Sequence, residues 1–163
     1  PAAHTVLEGV PADVPALVRR ADLVVDGIVG IGGRGGLRPG AVEIADAVAE
    51  AKVPVVAVDL PSGVDADTGE VRGVAVRAAA TVTFGAYKPG LLVDPAREHA
   101  GALRLVDIGL GPYLEAAEPV VRAARHADVA ALLPRPSAES DKYRRGVVGI
   151  AAGSARYPGA AVL

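Results

Sequence analysis

The sequence contains no cysteine, methionine or tryptophan, and only one phenylalanine and four tyrosines among its 163 residues. Without cysteine there is no disulfide framework, and no thiolate to act as nucleophile or metal ligand. So few aromatics argue against an aromatic-rich β-sandwich. They leave an interior packed from Ala and Val, which suits an α/β fold. Neither sign of charge dominates: the net charge is −2 and the basic residues are scattered, which disfavours nucleic acid as a partner. No apolar run approaches the length that spans a bilayer, so no membrane segment is expected. No secretory leader pattern opens the chain, and a cytoplasmic location is the expectation. The lack of methionine, the start at Pro1 and a last segment, Gly159–Leu163, that reads as the opening of a helix lead us to expect a fragment of a longer protein.

About half of the residues are hydrophobic, ample for a packed core. The pattern alternates. A helix is expected from Asp13 to Arg20, with Leu17 and Val18 inward. A strand buried on both faces is expected from Asp22 to Val29. Another helix is expected from Gly40 to Lys52, with Ala41, Ile44, Ala45 and Val48 on one face. Further strands are expected at Pro54–Asp59, Thr81–Gly85 and Ala102–Asp107, with a short helical turn within Tyr87–Leu92. Strands alternating with helices predict a parallel sheet. After Gly111 the chain becomes rich in Ala, Arg and Pro. A buried-strand pattern then returns at Val147–Ala152.

Two strand ends carry chemistry. One runs through Asp26 into Gly30-Ile31-Gly32-Gly33-Arg34-Gly35-Gly36; the other gives Asp59-Leu60-Pro61-Ser62-Gly63. Ligands of open α/β sheets bind outside the carboxyl ends of the strands, so these loops predict one shared site for a polar or phosphorylated ligand. Gly30, Gly32 and Gly35 satisfy the dinucleotide fingerprint, but residues 36–40 intervene before the helix that should receive the pyrophosphate. Turn glycines, or a loop whose amides contact phosphate or ribose, are the competing readings. Asp59 is either a turn-former or helix cap, or, with Asp26 and Ser62, an oxygen donor facing a hard cation or ligand hydroxyls. Asp65, Asp67 and Gly69 resemble the start of a calcium loop, but Val76 stands where that loop needs Glu. His4, His99 and His126 have no metal-ligand spacing, and there is neither a nucleophile elbow nor a Walker lysine.

Four blocks, Val25–Gly32, Val58–Asp65, Thr81–Leu92 and Val106–Gly109, resemble in order and spacing the later portion of the NAD(P)H-hydrate epimerase domain. Lys142–Ala161 resembles the start of the ADP-dependent NAD(P)H-hydrate dehydratase domain. The resemblance implies a Rossmann-like three-layer parallel sheet, truncated, followed by the first strand of a ribokinase-like α/β domain. The implied organisation is 1–111 as the C-terminal part of the epimerase domain, 112–141 as a linker and 142–163 as the start of the dehydratase domain. It implies a bifunctional isomerase and lyase of nicotinamide-nucleotide repair that interconverts the R and S hydrates and dehydrates the S form using ADP or ATP. It implies potassium held by Asp26 and Ser62. It further implies the hydrated dinucleotide bound by Gly30, Ile31, Gly32, Gly33, Arg34, Gly35, Gly36 and Asp59, and a homo-oligomer in full-length form. No catalytic acid or base is assigned. A conventional NAD-binding oxidoreductase domain and a non-catalytic docking module are the alternative classes.

Overall fold

The computed structural model describes residues 13–133, 135, 138–141, 143, 146–156 and 158–161. The chain divides into two compact units, residues 1–122 and 123–163.

The first unit is built on a four-stranded parallel sheet. Its strands are β1 (Val24–Asp26), β2 (Val55–Val58), β3 (Ala80–Phe84) and β4 (Ala102–Val106), in spatial order β1-β2-β3-β4. Helix α1 (Val14–Arg19) opens on Asp13, whose Oδ1 accepts from the Ala16 N–H at 3.0 Å. Helix α2 (Pro39–Ala51) starts on a proline, which suits a first-turn position with no amide to satisfy, and ends on Lys52 in the left-handed conformation. A 3-10 turn (Pro89–Leu91) and the short helices α3 (Arg97–Ala100) and α4 (Gly111–Leu114) are the other described elements of the unit.

Register decides which side chains share a face. Val24, Val55 and Ala57 point with Val14 and Val18 of α1 and Ala45, Ala47 and Val48 of α2 into one apolar cluster. A second cluster joins Leu60, Val64 and Ala66 to Leu91, Ala96 and Ala100, with Leu103 of β4 packed against it. Helices therefore cover one face of the sheet.

Several expectations are corrected. The strand expected over Asp22–Val29 pairs only at Val24–Asp26, and it is not buried on both faces. Among the described residues β1 pairs with β2 alone, and Val25, on the far face, is 65% exposed. Val58 and Val106 lie exposed on that same face. Among the described residues, then, two layers are present rather than three. In α1 the buried pair is Val14 and Val18, one turn apart, and Leu17 faces outward.

In the second unit the described elements are α5 (His126–Leu132) and a 3-10 turn (Pro158–Ala161). The stretch expected as a linker thus carries α4 and α5 and contains the division between the units. The strand expected at Val147–Ala152 is not formed. Its residues pair with no described strand, and Val147, Val148 and Ile150 stay exposed. A strand gains its stability from a neighbour's ladder, and an apolar pattern cannot supply one. Lys142, Arg144, Arg145 and Tyr157, which helped carry the second resemblance, lie outside the described residues. No helix among the described residues is long and apolar enough to cross a membrane.

Leu91 is fully buried in the cluster under β3 and β4. Leu91→Ala is expected to cost about 2–5 kcal/mol of unfolding free energy, through lost burial plus the cavity left behind. Urea denaturation followed by circular dichroism measures it.

Candidate functional site

The site lies at the carboxyl ends of β1, β2 and β3. β1 ends on Asp26, which is almost wholly buried, and the chain leaving β2 passes through Leu60, Pro61 and Ser62, all fully buried. A carboxylate out of water needs donors, and Ser62 supplies two. The Ser62 hydroxyl donates to Asp26 Oδ1 at 2.6 Å, and its backbone N–H donates to Oδ2 at 2.8 Å. The Ile28 N–H adds a longer bond to Oδ1, and the Ser62 Oγ accepts from the Val29 N–H at 3.0 Å. One carboxylate–hydroxyl pair thus joins the end of β1, the entry to the glycine loop and the exit of β2.

Gly63 sits at φ 98°, and a Cβ there would lie 2.6 Å from the Val74 carbonyl oxygen. Both its conformation and the close backbone approach require glycine. The same holds at Gly36, φ 94°, whose Cβ would meet the Arg72 carbonyl oxygen at 2.4 Å. The glycine loop is therefore seated against the segment that follows Ser62, and a concavity lined by Val29, Gly33–Leu37, Gly63–Asp65, Glu70 and Arg72 lies between them. Arg34 reaches across it, with Nη2 2.9 Å from Asp67 Oδ2 and Nη1 4.0 Å from Asp65. Arg34 and Asp67 are both largely exposed, so this pair contributes ~0.2–1 kcal/mol.

Asp65 has a structural task. Its Oδ1 accepts from the backbone N–H groups of Asp67 and Thr68, closing the turn before the Val64–Val71 bridge. The Thr68 N–H, then the Thr68 hydroxyl, hold its carboxyl below the ordinary range against the opposing effect of burial. Among the described residues no cluster of three or more His, Cys, Asp or Glu is placed to hold a metal ion.

Asp59 follows β2 at φ 71°, a left-handed conformation that costs a non-glycine residue of order 1 kcal/mol or more. Three donors hold it there. The Thr83 hydroxyl donates to Oδ1 at 3.0 Å and the Phe84 N–H at 3.3 Å, and the Lys88 ammonium makes a close ion pair with the same oxygen. Burial works to raise its pKa. The Lys88 bond, the Phe84 N–H, the Thr83 hydroxyl and the Lys88 charge together outweigh it and leave the carboxyl below the ordinary 3.8. Sequence reasoning assigns no role to Lys88 or Thr83. The available signal is polar residues alternating through an otherwise apolar strand, Thr81 and Thr83, both of which are fully buried. Thr81 donates to the Ala100 carbonyl at 2.7 Å, so only one of the two serves the site.

The dinucleotide fingerprint fails on geometry: α2 begins at Pro39, beyond the glycines, so they do not deliver a helix N-terminus to a phosphate. The donor chemistry at Asp26 and Ser62, a carboxylate and a hydroxyl, is of the kind a hard cation takes. Every buried side-chain polar atom among the described residues has a partner, and these two serve one another.

A parallel sheet with flanking helices, a carboxylate–serine pair at two strand ends and a glycine loop define an α/β domain of the Rossmann-like class. The sequence profile of the family described as YjeF-related protein N-terminus matches residues 3–90, and the chain belongs to that family. It is 50% identical over 151 residues to the bifunctional NAD(P)H-hydrate repair enzyme of Mycobacterium tuberculosis strain H37Rv, covering 92% of this chain and 30% of that protein. It is 51% identical over 143 residues to the enzyme of the same name from Mycobacterium leprae, covering 87% of this chain and 28% of that protein. It is also 48% identical over 122 residues to the NAD(P)H-hydrate epimerase of Clavibacter sepedonicus, covering 70% of this chain and 52% of that protein. The chain thus spans about a third of the bifunctional relatives and about half of that epimerase.

Two expected outcomes test this geometry. Ser62→Ala removes the hydroxyl donor from a buried carboxylate and is expected to cost about 1–3 kcal/mol, read from denaturant unfolding. The second concerns pH. The native pKa of Asp59 lies below its unfolded value, so its pairing stabilises the fold fully above the unfolded value and is lost as pH falls through the native one. The stability advantage of the wild type over Asp59→Asn is therefore expected to narrow below about pH 4. A pH series of urea melts checks it.

Proposed function

We propose that this chain is the substrate-binding part of an NAD(P)H-hydrate epimerase, within a nicotinamide-nucleotide repair enzyme. The observation that carries the reading is the convergence, at the ends of neighbouring strands, of the Asp26–Ser62 pair, Asp59 and a glycine loop, in a chain of this family. The names and identities of the relatives support it.

The substrate is a hydrated nicotinamide dinucleotide. Backbone amides of Gly30–Gly36 meet its phosphates or ribose, and Asp59 accepts from ribose hydroxyls. Asp59 suits that task because, against the effect of burial, its bonds to Lys88, the Phe84 N–H and Thr83 hold its carboxyl below the ordinary carboxylate range. Epimerisation at the carbinol carbon calls for general acid–base assistance, and no residue of this chain is assigned to it.

Asp26 and Ser62 would hold a potassium ion, whose positive charge would offset the negative charge of the diphosphate. The Asp26 carboxylate and the Ser62 hydroxyl, already brought together at 2.6 Å, would supply their remaining lone pairs to it. In the full-length protein the epimerase is a homo-oligomer in the cytoplasm. It is coupled there to a ribokinase-like dehydratase that consumes ADP or ATP, with residues 112–141 as the connection and 142–163 as the first part of that second domain.

Incubating the full-length protein, and this chain separately, with the resolved S and R hydrates of NADPH tests the proposal. The full-length protein is expected to equilibrate the two epimers, faster in potassium than in lithium. Failure to interconvert them would overturn the reading.

A further inference from the structure

We infer that Lys88 is a positioning residue that aims the Asp59 carboxylate, presenting one of its oxygens to the ligand. The inference rests on the reading that Asp59 meets a ligand hydroxyl.

Valence decides what Lys88 can do. A lysine ammonium has three protons to donate and no acceptor. Lys88 has three acceptors within reach: Asp59 Oδ1, the Thr83 Oγ1 at 3.0 Å and the Phe84 carbonyl at 3.0 Å. Its protons are thereby committed, so Lys88 does not bind the ligand directly. Thr83 is doubly engaged, accepting from Lys88 and donating to Asp59, which closes a small ring of hydrogen bonds at the end of β3. Both charged side chains are mostly shielded from solvent, at 17% and 20% exposure, so the pair is neither a screened surface contact nor fully desolvated.

The arrangement is one-sided. Lys88, Thr83 and the Phe84 N–H all meet Oδ1 of Asp59, and none of them meets Oδ2. A carboxylate so clamped has one oxygen saturated by the protein and the other without a protein donor among the described residues. The backbone conformation matters too. At φ 71° Asp59 sits in the left-handed region, which an aspartate adopts at some cost, and the clamp helps to hold it there. Removing the ammonium frees the carboxylate to rotate and leaves the Thr83 hydroxyl and the Phe84 carbonyl without their donor.

A double-mutant cycle in the full-length protein tests this, with the S hydrate of NADPH as the probe and calorimetry as the readout. Lys88→Met and Asp59→Asn are each expected to weaken binding by about tenfold or more. The double variant is expected to bind no worse than the weaker single, because both changes destroy one interaction. Lys88→Arg keeps a cation in reach and is expected to recover part of the loss, which a general folding defect would not allow. Circular dichroism on each variant separates misfolding from lost aim. Binding by Lys88→Met within twofold of wild type, or strictly additive losses, would overturn the inference and leave the proposed function standing. A folded wild-type protein that binds no hydrate would overturn the functional reading and this inference with it.

Discussion

The site depends on a buried carboxylate finding its donors. Asp26 lies at the end of β1 with almost no exposure, where an unpartnered charge would be prohibitively costly. Ser62 meets it with a side-chain and a backbone donor, which forces the exit of β2 to lie beside the exit of β1. The consequences spread along the chain. The Ser62 hydroxyl oxygen also accepts from Val29, which sets where the glycine loop starts. The Ser62 carbonyl accepts from the Val76 N–H at 2.8 Å and ties down the segment leading into β3. Gly63 must then pass close to Val74, which only glycine allows.

A second carboxylate, one strand end further on, is handled differently. Asp59 keeps part of its surface in solvent, takes all its protein donors on one oxygen and carries a full opposite charge beside it. Asp26 has protein donors on both oxygens and organises backbone, whereas Asp59 has them on one. The contrast arises from their neighbours: a buried serine turn for Asp26, and the ends of β3 and the following loop for Asp59.

Much of this is legible in the amino-acid sequence. The Ile44, Ala45 and Val48 spacing predicts α2 to within a residue at each end, because amphipathic periodicity over three turns is a strong signal. Apolar runs ending on Asp26 and Asp59 locate two of the strands and the site between them. Less legible is anything that depends on a distant partner. Lys88 is 29 residues from Asp59, and nothing in its local sequence distinguishes it from a solvated lysine. Leu17 reads as core and lies outward, since a short helix buries only a narrow stripe.

What the sequence by itself determined is the set of local choices. These are a parallel α/β unit without cysteine chemistry, its helix and strand positions, and the carboxylates, serine and glycines at the strand ends. Tertiary structure alone decided that, among the described residues, β1 pairs with β2 alone and leaves one face exposed, that residues 147–152 form no strand, and that Asp26 and Ser62 bond directly. It alone decided, too, that Lys88 closes on Asp59. The physical reason is common to all four. Periodicity and turn chemistry act over a few residues, whereas burial, strand pairing and ion pairing are fixed by which distant segments the packing brings side by side.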